Sequence, residues 1–327
     1  MAKFKLRAIL FSLSLLALEG CVTSQGQSTQ SLADRRPSSG PDAATVASTP
    51  TLGSVPFFGP LFQGPYDAVL PEFNRPSAKV YLPLQYSQGA GQKKWPVVVM
   101  LHGFSGTAET EDLYLTLRFR VSSRGFILVT PDGLKMPPGT LSPEGRDVSG
   151  NQFWNAIDSC CDFGKTGVDD VGYLTALVHQ IKKQYSVATS RVYLLGHSNG
   201  GFMANRMACE IGDELAGVAN LAGGSFKSAE NCRIPVAMPY LQIHAENDKT
   251  INYVGTPTYS GGVESIAQWT QRNGCHAPSK KTSKKDFLFL IPENDTNIET
   301  WTNCQGGNEV AFWKIKAFEA EHHNAHV

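Results

Sequence analysis

A serine stands in the segment Gly-His-Ser-Asn-Gly at positions 196–200, directly after the apolar run 192–195. The apolar run predicts a buried strand, and the residues after the segment predict a helix. A Gly-x-Ser-x-Gly segment between a strand and a helix is typical of a tight turn that lifts the serine hydroxyl above a sheet. We therefore predict that Ser198 is a nucleophile and that the backbone amide of Asn199 donates to a developing oxyanion.

A second candidate oxyanion donor lies in the segment 102–104, which follows the apolar run 97–101. At sites built around such a serine turn, the loop after an early strand supplies the second donor. We predict the backbone amide of Phe104, because Gly103 lets the chain approach closely. His102 precedes the serine, whereas the histidine of such a site follows it, so we expect His102 to pack and hydrogen-bond within the loop.

The carboxylate of such a site is expected after a later strand, and Asp248 follows the strand predicted at 238–244. Its function would be to hold the tautomer of a catalytic histidine and to stabilise the imidazolium that forms. Glu246 is the reserve candidate in the same segment. The alternative interpretation of Asp248 is an aspartate that caps a turn.

The base is expected beyond Asp248, on the loop that follows the last predicted strand at 310–315. His322 is the first histidine in this position and is the predicted base, with His323 in reserve if the turn is one residue longer. His326 belongs to the same tail, and His276 lies at the end of a predicted helix, where a local structural role is favoured. The alternative for the tail is a solvated histidine cluster.

Strands and helices alternate along the chain from residue 78 onward, which predicts a mostly parallel sheet with helices on both faces, an α/β fold. The loop-like stretch 134–167 is rich in Gly, Pro and Asp, and a loop of that length is usually functional. Phe153 and Trp154 are candidates for a wall of an acyl pocket, the alternative being buried core aromatics. The predicted strands are 78–82, 96–101, 126–130, 191–195, 217–221, 238–244 and 310–315, and the predicted helices are 109–123, 168–185, 199–210 and 263–272.

Composition limits the possible partners of this 327-residue chain. It carries 29 basic and 29 acidic residues, so there is no electrostatic case for binding nucleic acid or another polyanion. Its length is sufficient for one large domain, and its 41% of hydrophobic residues is typical of a globular protein with a buried core. We assign this domain to residues 65–327. The sequence leaves the oligomeric state open.

The N-terminal residues 1–21 have the pattern of a bacterial lipoprotein signal peptide. Three basic residues precede the apolar run 8–18, and the segment Leu18-Glu19-Gly20-Cys21 resembles a lipoprotein cleavage box. We predict that Cys21 is lipidated and anchors the chain to a membrane, the alternative being an ordinary secretory signal. Residues 22–64 are rich in Ser, Thr, Gln and Pro and are predicted to be a disordered tether. The chain is thus expected to be exported, as an outer-membrane-anchored periplasmic or surface lipoprotein or as an extracellular protein.

The cysteines other than Cys21 are even in number, which favours disulfide bonds in an oxidising compartment. They stand at positions 160, 161, 209, 232, 275 and 304. None has the C-x-x-C spacing of a zinc site, and we expect neither a metal nor a cofactor. Cys209, late in the helix after Ser198, is expected to meet Cys232.

Several segments resemble the poly(3-hydroxybutyrate) depolymerase/feruloyl esterase family, which is related to carbohydrate esterase family 1. They are the serine turn with Phe202-Met203, the segments 154–155 and 160–161, Val168–Leu174, His244–Asp248, and the pair 273–275 and 301–304. The resemblance covers roughly residues 78–315 and implies an α/β-hydrolase fold that hydrolyses carboxylic esters without a cofactor. It implies that Ser198 and Asp248 belong to the catalytic triad, and it pairs Cys275 with Cys304. Cys160 and Cys161 then remain for a vicinal bond or for two thiols.

The predicted function is therefore that of an exported, membrane-anchored serine esterase with an acyl-enzyme intermediate. Feruloyl or acetyl esters of plant polysaccharides, polyhydroxyalkanoates and small soluble esters all remain possible substrates. Two other functions are compatible with the sequence: a non-catalytic surface-binding protein on a hydrolase scaffold, and a serine peptidase.

Overall fold

The structure is a computed structural model that describes residues 60–89, 91–232, 236–276, 280–286 and 295–316, together with His326. Within these ranges ten strands form one large sheet. The strands are β1 Gln63–Ala68, β2 Ala78–Leu82, β3 Trp95–Leu101, β4 Ile127–Thr130, β5 Val187–His197, β6 Gly217–Leu221, β7 Tyr240–Ala245, β8 Lys280–Lys285, β9 Thr296–Trp301 and β10 Val310–Ile315. The helices are α1 Ala108–Leu115, α2 Val121–Arg124, α3 Asp170–Gln184, α4 Asn199–Ile211 and α5 Gly262–Arg272.

The strand order in the sheet is β1-β2-β4-β3-β5-β6-β7-β10-β9-β8. The six strands from β4 to β10 in this order pair in parallel, and the two strands at each edge pair antiparallel. Parallel strands present their carboxyl ends at one edge of a sheet, which is where α/β proteins place their sites. The carboxyl ends of β3, β5, β7 and β10 therefore share one edge.

The core lies on both faces of this sheet, because alternate residues of the central strands point to opposite sides. Every residue of β3 is buried; Val97 and Val99 pack in the cluster that contains α3, α4 and α5, and Val98 and Met100 pack in the cluster beneath α1 and α2. Continuously apolar strands of this kind are typical of parallel sheets covered on both faces. The predicted α/β architecture is confirmed.

The prediction of one continuous helix over 109–123 is wrong, because this stretch forms two helices and a 3-10 segment between them. Thr107 caps α1, its hydroxyl accepting the amide of Thr110, but the helix ends at Thr116, whose φ of 55° is left-handed. A short 3-10 segment, Leu117–Arg120, and then α2 follow. The side chain of Asp112 accepts the backbone amide of Arg118 at 3.0 Å, which replaces a helical hydrogen bond and stabilises the break.

Three strands are absent from the sequence prediction: β1, β8 and β9. All lie at or next to an edge of the sheet, and the outermost strand β8 has the sequence Lys-Lys-Thr-Ser-Lys-Lys. Lysines on an edge strand protect it from pairing with other chains, and they also remove the apolar signal by which strands are recognised. The strand β1 begins two residues inside the segment predicted as a tether, and the neighbouring Phe62 packs edge-on against Tyr81 at 5.1 Å.

The segment 134–167 is largely irregular, as predicted, and carries one two-residue ribbon in which Leu134–Lys135 pairs with Gln152–Phe153. Among the residues that the structure describes, the helices are all too short or too polar to cross a bilayer.

Candidate active site

Ser198 lies at the sharp turn between β5 and α4. Its φ of 52° and ψ of −118° are unusual for a residue with a side chain, and such strain is characteristic of functional turns. The turn is possible only with glycine on both sides: a Cβ on Gly196 would stand 2.0 Å from the Gly200 carbonyl oxygen, and a Cβ on Gly200 2.3 Å from that of Leu101. The amide of Ser198 donates to Leu221 O at 2.8 Å, which ties the turn to β6.

The loop after β3 lies against this serine. A Cβ built on Gly103 would be 3.3 Å from the Cβ of Ser198. The loop is held by the amide of Ser105, which donates to Gln152 O at 2.8 Å, and by the amide of Gly106, which donates to Gly103 O at 3.1 Å. Within the described part of the chain the amide of Phe104 has no hydrogen-bond acceptor.

Asn199 is the first residue of α4, so its amide has no acceptor one turn earlier in the helix. Its side chain is fully buried and pairs with the backbone of Trp154 in both directions. Asn199 Oδ1 accepts from Trp154 N at 2.7 Å, and Asn199 Nδ2 donates to Trp154 O at 2.9 Å. The same Nδ2 lies 3.6 Å from the Sγ of Cys160. The side chain of Asn199 thus holds the backbone of Trp154 against the turn at Ser198.

His102 supports the loop, and its geometry fits a structural role. Its Nε2 accepts the amide of Gly133 at 2.9 Å, so the proton lies on Nδ1, which donates to Gly103 O at 2.7 Å. Trp154 Nε1 donates to His102 O at 3.0 Å. Burial lowers the pKa of His102, so the ring stays neutral around pH 7.

Phe153 and Trp154 are both fully buried. Phe153 packs with Met136 and Val148, which belong to the same irregular segment. Trp154 packs in the core cluster that contains α3, α4 and α5. Their observed contacts are core packing and support of the loop after β3. The predicted acyl-pocket role of these two residues stays a prediction.

Asp248 lies after β7 and its carboxylate receives four donors. The amides of Thr250 and Ile251 donate to Oδ1 at 2.8 and 3.0 Å. The imidazoles of His244 and His326 reach Oδ2 at 3.2 and 2.8 Å. Burial opposes ionisation, but the hydrogen bonds from the two histidines outweigh it and hold the pKa of Asp248 below its usual range.

The imidazole of His326 contacts Asp248 through Nδ1, which leaves Nε2 for another partner. Its ring lies 5.3 Å from the ring of His197, the residue before the nucleophile. The predicted base His322 and its reserve His323 lie outside the described residues. Glu246 and His276 are exposed, and neither is brought to this site by the contacts described.

Glu111 of α1 is a buried carboxylate that the sequence analysis did not single out. Its Oε2 accepts from the amide of Gly103 at 3.2 Å and from His197 Nδ1 at 3.1 Å. The ring of Tyr114, one helical turn further, lies 5.5 Å from the ring of His197. Spacing along the sequence could not reveal Glu111, because it contacts the turn across 86 positions.

The structure pairs Cys209 with Cys232 and Cys275 with Cys304, in agreement with the sequence analysis, and Cys160 with Cys161. In the described ranges no three His, Cys, Asp or Glu side chains are grouped so as to hold a metal ion.

The sequence profile of the dienelactone hydrolase family matches residues 84–264, more than half of the chain. The chain belongs to the dienelactone hydrolase family. The matched part contains the turn at Ser198, the loop after β3 and Asp248. The α/β-hydrolase fold predicted from the sequence is thereby confirmed.

This dienelactone hydrolase family member is similar to feruloyl esterase B of Piromyces equi, with 26% identity over 69% of this chain and 39% of that protein. It is also similar to a bifunctional acetylxylan esterase/xylanase of Neocallimastix patriciarum, with 25% identity over 68% of this chain and 28% of that protein. The chain thus spans well under half the length of these relatives. They agree with the resemblance to feruloyl esterases seen in the sequence.

Solved structures with a similar arrangement include an acetyl xylan esterase from Aspergillus awamori, with a TM-score of 0.48 and 17% identity over 75% of this chain and 90% of that one. A ferulic acid esterase from Anaeromyces mucronatus in complex with ferulic acid has a TM-score of 0.42 and 19% identity over 61% and 74%.

Proposed function

We propose that this chain is a carboxylic ester hydrolase that works through a covalent acyl-enzyme, with Ser198 as nucleophile, Asp248 as acid and His326 as base. The observation that carries the proposal is the 2.8 Å contact between His326 Nδ1 and Asp248 Oδ2, made beside the nucleophile turn. A carboxylate on Nδ1 orients an imidazole with Nε2 free to take a proton, which is the arrangement that acyl transfer requires.

In the proposed reaction the Ser198 hydroxyl attacks the ester carbonyl carbon while Nε2 of His326 takes its proton. The oxyanion is held by the amides of Phe104 and Asn199, and one such donor lowers the barrier by about 2.7–4 kcal/mol. The tetrahedral intermediate collapses, the alcohol leaves with the proton from His326, and the acyl group stays on Ser198. Water then attacks the acyl-enzyme with the same histidine as base, which releases the carboxylic acid and restores Ser198.

The choice of base departs from the sequence prediction of His322 and is tested directly. His326→Ala should lower kcat by about 10⁴-fold, because general-base catalysis is lost while binding is kept. His322→Ala and His323→Ala are the matched controls and should retain wild-type kcat. If His322→Ala or His323→Ala loses activity and His326→Ala does not, the base is the tail histidine predicted from the sequence. Circular dichroism and melting temperature establish that each variant is folded.

The proposed substrates are feruloyl and acetyl esters of plant polysaccharides, because the relatives include a feruloyl esterase and an acetylxylan esterase. The test measures hydrolysis of methyl ferulate, acetylxylan, p-nitrophenyl acetate, polyhydroxybutyrate and a peptide panel by wild type and by Ser198→Ala. Wild type should act on the first three, and Ser198→Ala on none. Cleavage of peptides alone would support a serine peptidase, and binding of xylan without turnover of any ester would support a non-catalytic binding protein.

We further propose that the chain is exported and anchored to the outer membrane through a lipid on Cys21, with a tether that begins at residue 22 and ends before Phe62, where the folded domain starts. The support is the lipoprotein-like segment 18–21 and the paired cysteines, which persist in oxidising compartments. Wild type expressed with labelled palmitate should carry the label and sediment with membranes, whereas Cys21→Ala should do neither. Equal labelling of the two proteins would contradict the anchor.

A further inference from the structure

His244 is a second histidine on the carboxylate of Asp248, and the proposed reaction does not use it. It lies near the end of β7 and is fully buried. Its Nε2 stands 3.2 Å from Asp248 Oδ2 and 3.0 Å from Ile251 O. Its Nδ1 stands 3.2 Å from Gln242 Nε2. Both ring nitrogens are therefore engaged, so His244 is not an alternative base.

The side chain of Gln242 and the carbonyl oxygen of Ile251 together decide which nitrogen of His244 carries the proton. Ile251 O can only accept, so it requires the proton on Nε2. Gln242 Nε2 lies 3.1 Å from the carbonyl oxygen of Gly223, which can only accept, so this atom is the amide nitrogen and donates. Gln242 Oε1, on the other side, accepts from the hydroxyl of Tyr240 at 2.6 Å. The NH₂ group thus faces Nδ1 of His244, which must accept. The proton of His244 then lies on Nε2, where it is shared between Ile251 O at 3.0 Å and Asp248 Oδ2 at 3.2 Å.

The hydrogen of the Tyr240 hydroxyl is itself directed to Gln242 Oε1 by its neighbours. The hydroxyl oxygen receives the side-chain amides of two buried asparagines, Asn205 at 3.3 Å and Asn220 at 3.4 Å. Because both of these groups donate, the hydroxyl hydrogen is directed to Gln242 Oε1. Burial raises the pKa of Tyr240 to about 12, so the hydroxyl keeps its proton at any working pH.

The ring of His244 has little freedom to turn away. A Cβ on Gly262, at the start of α5, would lie 2.9 Å from Nδ1, so the helix backbone passes directly against the imidazole. Tyr253 packs edge-on against the same imidazole, with ring centroids 5.7 Å apart. This packing presents Nε2 to Asp248 in one orientation.

We infer that His244 is a positioning residue for Asp248: the buried series Tyr240–Gln242–His244 fixes its tautomer, and its Nε2–H fixes the carboxylate that orients the catalytic histidine. The inference rests on the proposed function, in which Asp248 is the triad acid. The amides of Thr250 and Ile251 restrain only Oδ1. His244 restrains Oδ2, the atom that His326 also uses, and so sets the angle at which the base is held.

The tautomer is tested by ¹⁵N NMR of imidazole-labelled protein, with the His244 signals assigned through His244→Gln. In wild type the Nε2 signal should be that of a protonated nitrogen and the Nδ1 signal that of an unprotonated one. In Gln242→Glu a carboxylate replaces the amide donor that faces Nδ1, and Nδ1 should become protonated. A wild-type proton on Nδ1, or a tautomer unchanged in Gln242→Glu, would overturn the inference, and neither reading depends on esterase activity.

The positioning role is tested by kinetics on methyl ferulate. His244→Phe keeps the ring shape but has no donor for Asp248 and should lower kcat by about 10²-fold with KM unchanged, as expected for a misplaced catalytic group. His244→Gln supplies an N–H from its side-chain amide and should recover most of that loss. His179→Gln, an exposed histidine on α3, is the matched control and should equal wild type.

The possible outcomes separate this inference from the proposed function. An active wild type with full kcat in His244→Phe would overturn the positioning role alone. If His244→Phe is not folded, Gln242→Met is used instead, because it removes the donor to His244 Nδ1. Gln242→Met should lower kcat, and its unfolding midpoint is measured separately to show that it is folded. A wild type inactive on every ester, with the expected ¹⁵N tautomer, would overturn the proposed function and the positioning role with it but leave the tautomer assignment standing.

Discussion

At the scale of single residues, the candidate site depends on polar side chains that hold backbone groups as well as on Ser198. The side chain of Asn199 pairs with Trp154 N and Trp154 O, and its backbone amide is one of the two proposed oxyanion donors. His102 holds the loop after β3, because its Nδ1 donates to Gly103 O and its Nε2 accepts the amide of Gly133. Such buried hydrogen bonds are costly to break, because the partner left behind cannot reach water.

Asn199→Asp is expected to test this pairing. The change keeps the acceptor for Trp154 N but places a carboxylate oxygen against Trp154 O, where the wild type has a donor. We expect a fall in kcat of about 10²-fold as the segment 152–156 shifts, with the melting temperature also lower. Asn252→Asp is the matched control, because exposed Asn252 uses only its oxygen, for the amides of Val254 and Gly255. Equal kinetics for the two variants would contradict the role of the Asn199 amide group.

At the scale of elements, the sheet brings the loops after β3, β5 and β7 to one edge, and α1 connects two of them. Glu111 reaches from α1 to the loop after β3 at Gly103 and to the nucleophile turn at His197. A carboxylate between two donors holds both loops at a fixed distance without adding a strand or a disulfide. The break at Thr116 limits α1 to about two turns. The 3-10 segment and α2 that come next are separate elements.

Glu111→Ala should release this connection and lower kcat about tenfold or more, since the Gly103 amide and His197 lose their common acceptor. Glu111→Gln keeps an acceptor oxygen and should lie close to wild type. Glu109→Ala, on the exposed side of the same helix, controls for loss of helix stability. Steady-state kinetics on methyl ferulate with circular dichroism decides the matter. A Glu111→Ala enzyme with unchanged kcat would show that the two loops hold their position without it.

At the scale of the whole molecule, two disulfides and one tail residue connect distant positions within the C-terminal half of the chain. Cys275, just after α5, bonds to Cys304, just after β9, across 29 positions. Cys209 at the end of α4 bonds to Cys232 across 23 positions. His326 contacts Asp248 across 78 positions, so the proposed acid and base come from distant parts of the sequence.

Replacing both Cys275 and Cys304 by Ala should lower the free energy of unfolding by roughly 3–4 kcal/mol, the value expected for a loop of this length in the chain-entropy model. The activity of the folded variant should stay at the wild-type value, because neither cysteine contacts the proposed triad. Urea unfolding followed by fluorescence measures the change. Cys209→Ala with Cys232→Ala is the comparison, and a loss of activity without loss of stability in the first pair would contradict a purely structural role.

The sequence by itself determined the features that lie within one element or one turn. The tight turn at 196–200, the buried strands β3, β5 and β7, and the place of Asp248 after a strand follow from local composition and spacing, because each signal is carried by neighbouring residues. Only the tertiary structure decided which distant groups meet: Asp248 with His244 and His326, Glu111 with His197, and Asn199 with Trp154. It also decided the strands β8 and β9. Their residues are mostly polar and give no apolar period, although Thr296, Ile298 and Thr300 of β9 are buried, and their hydrogen bonds to neighbouring strands place them in the sheet.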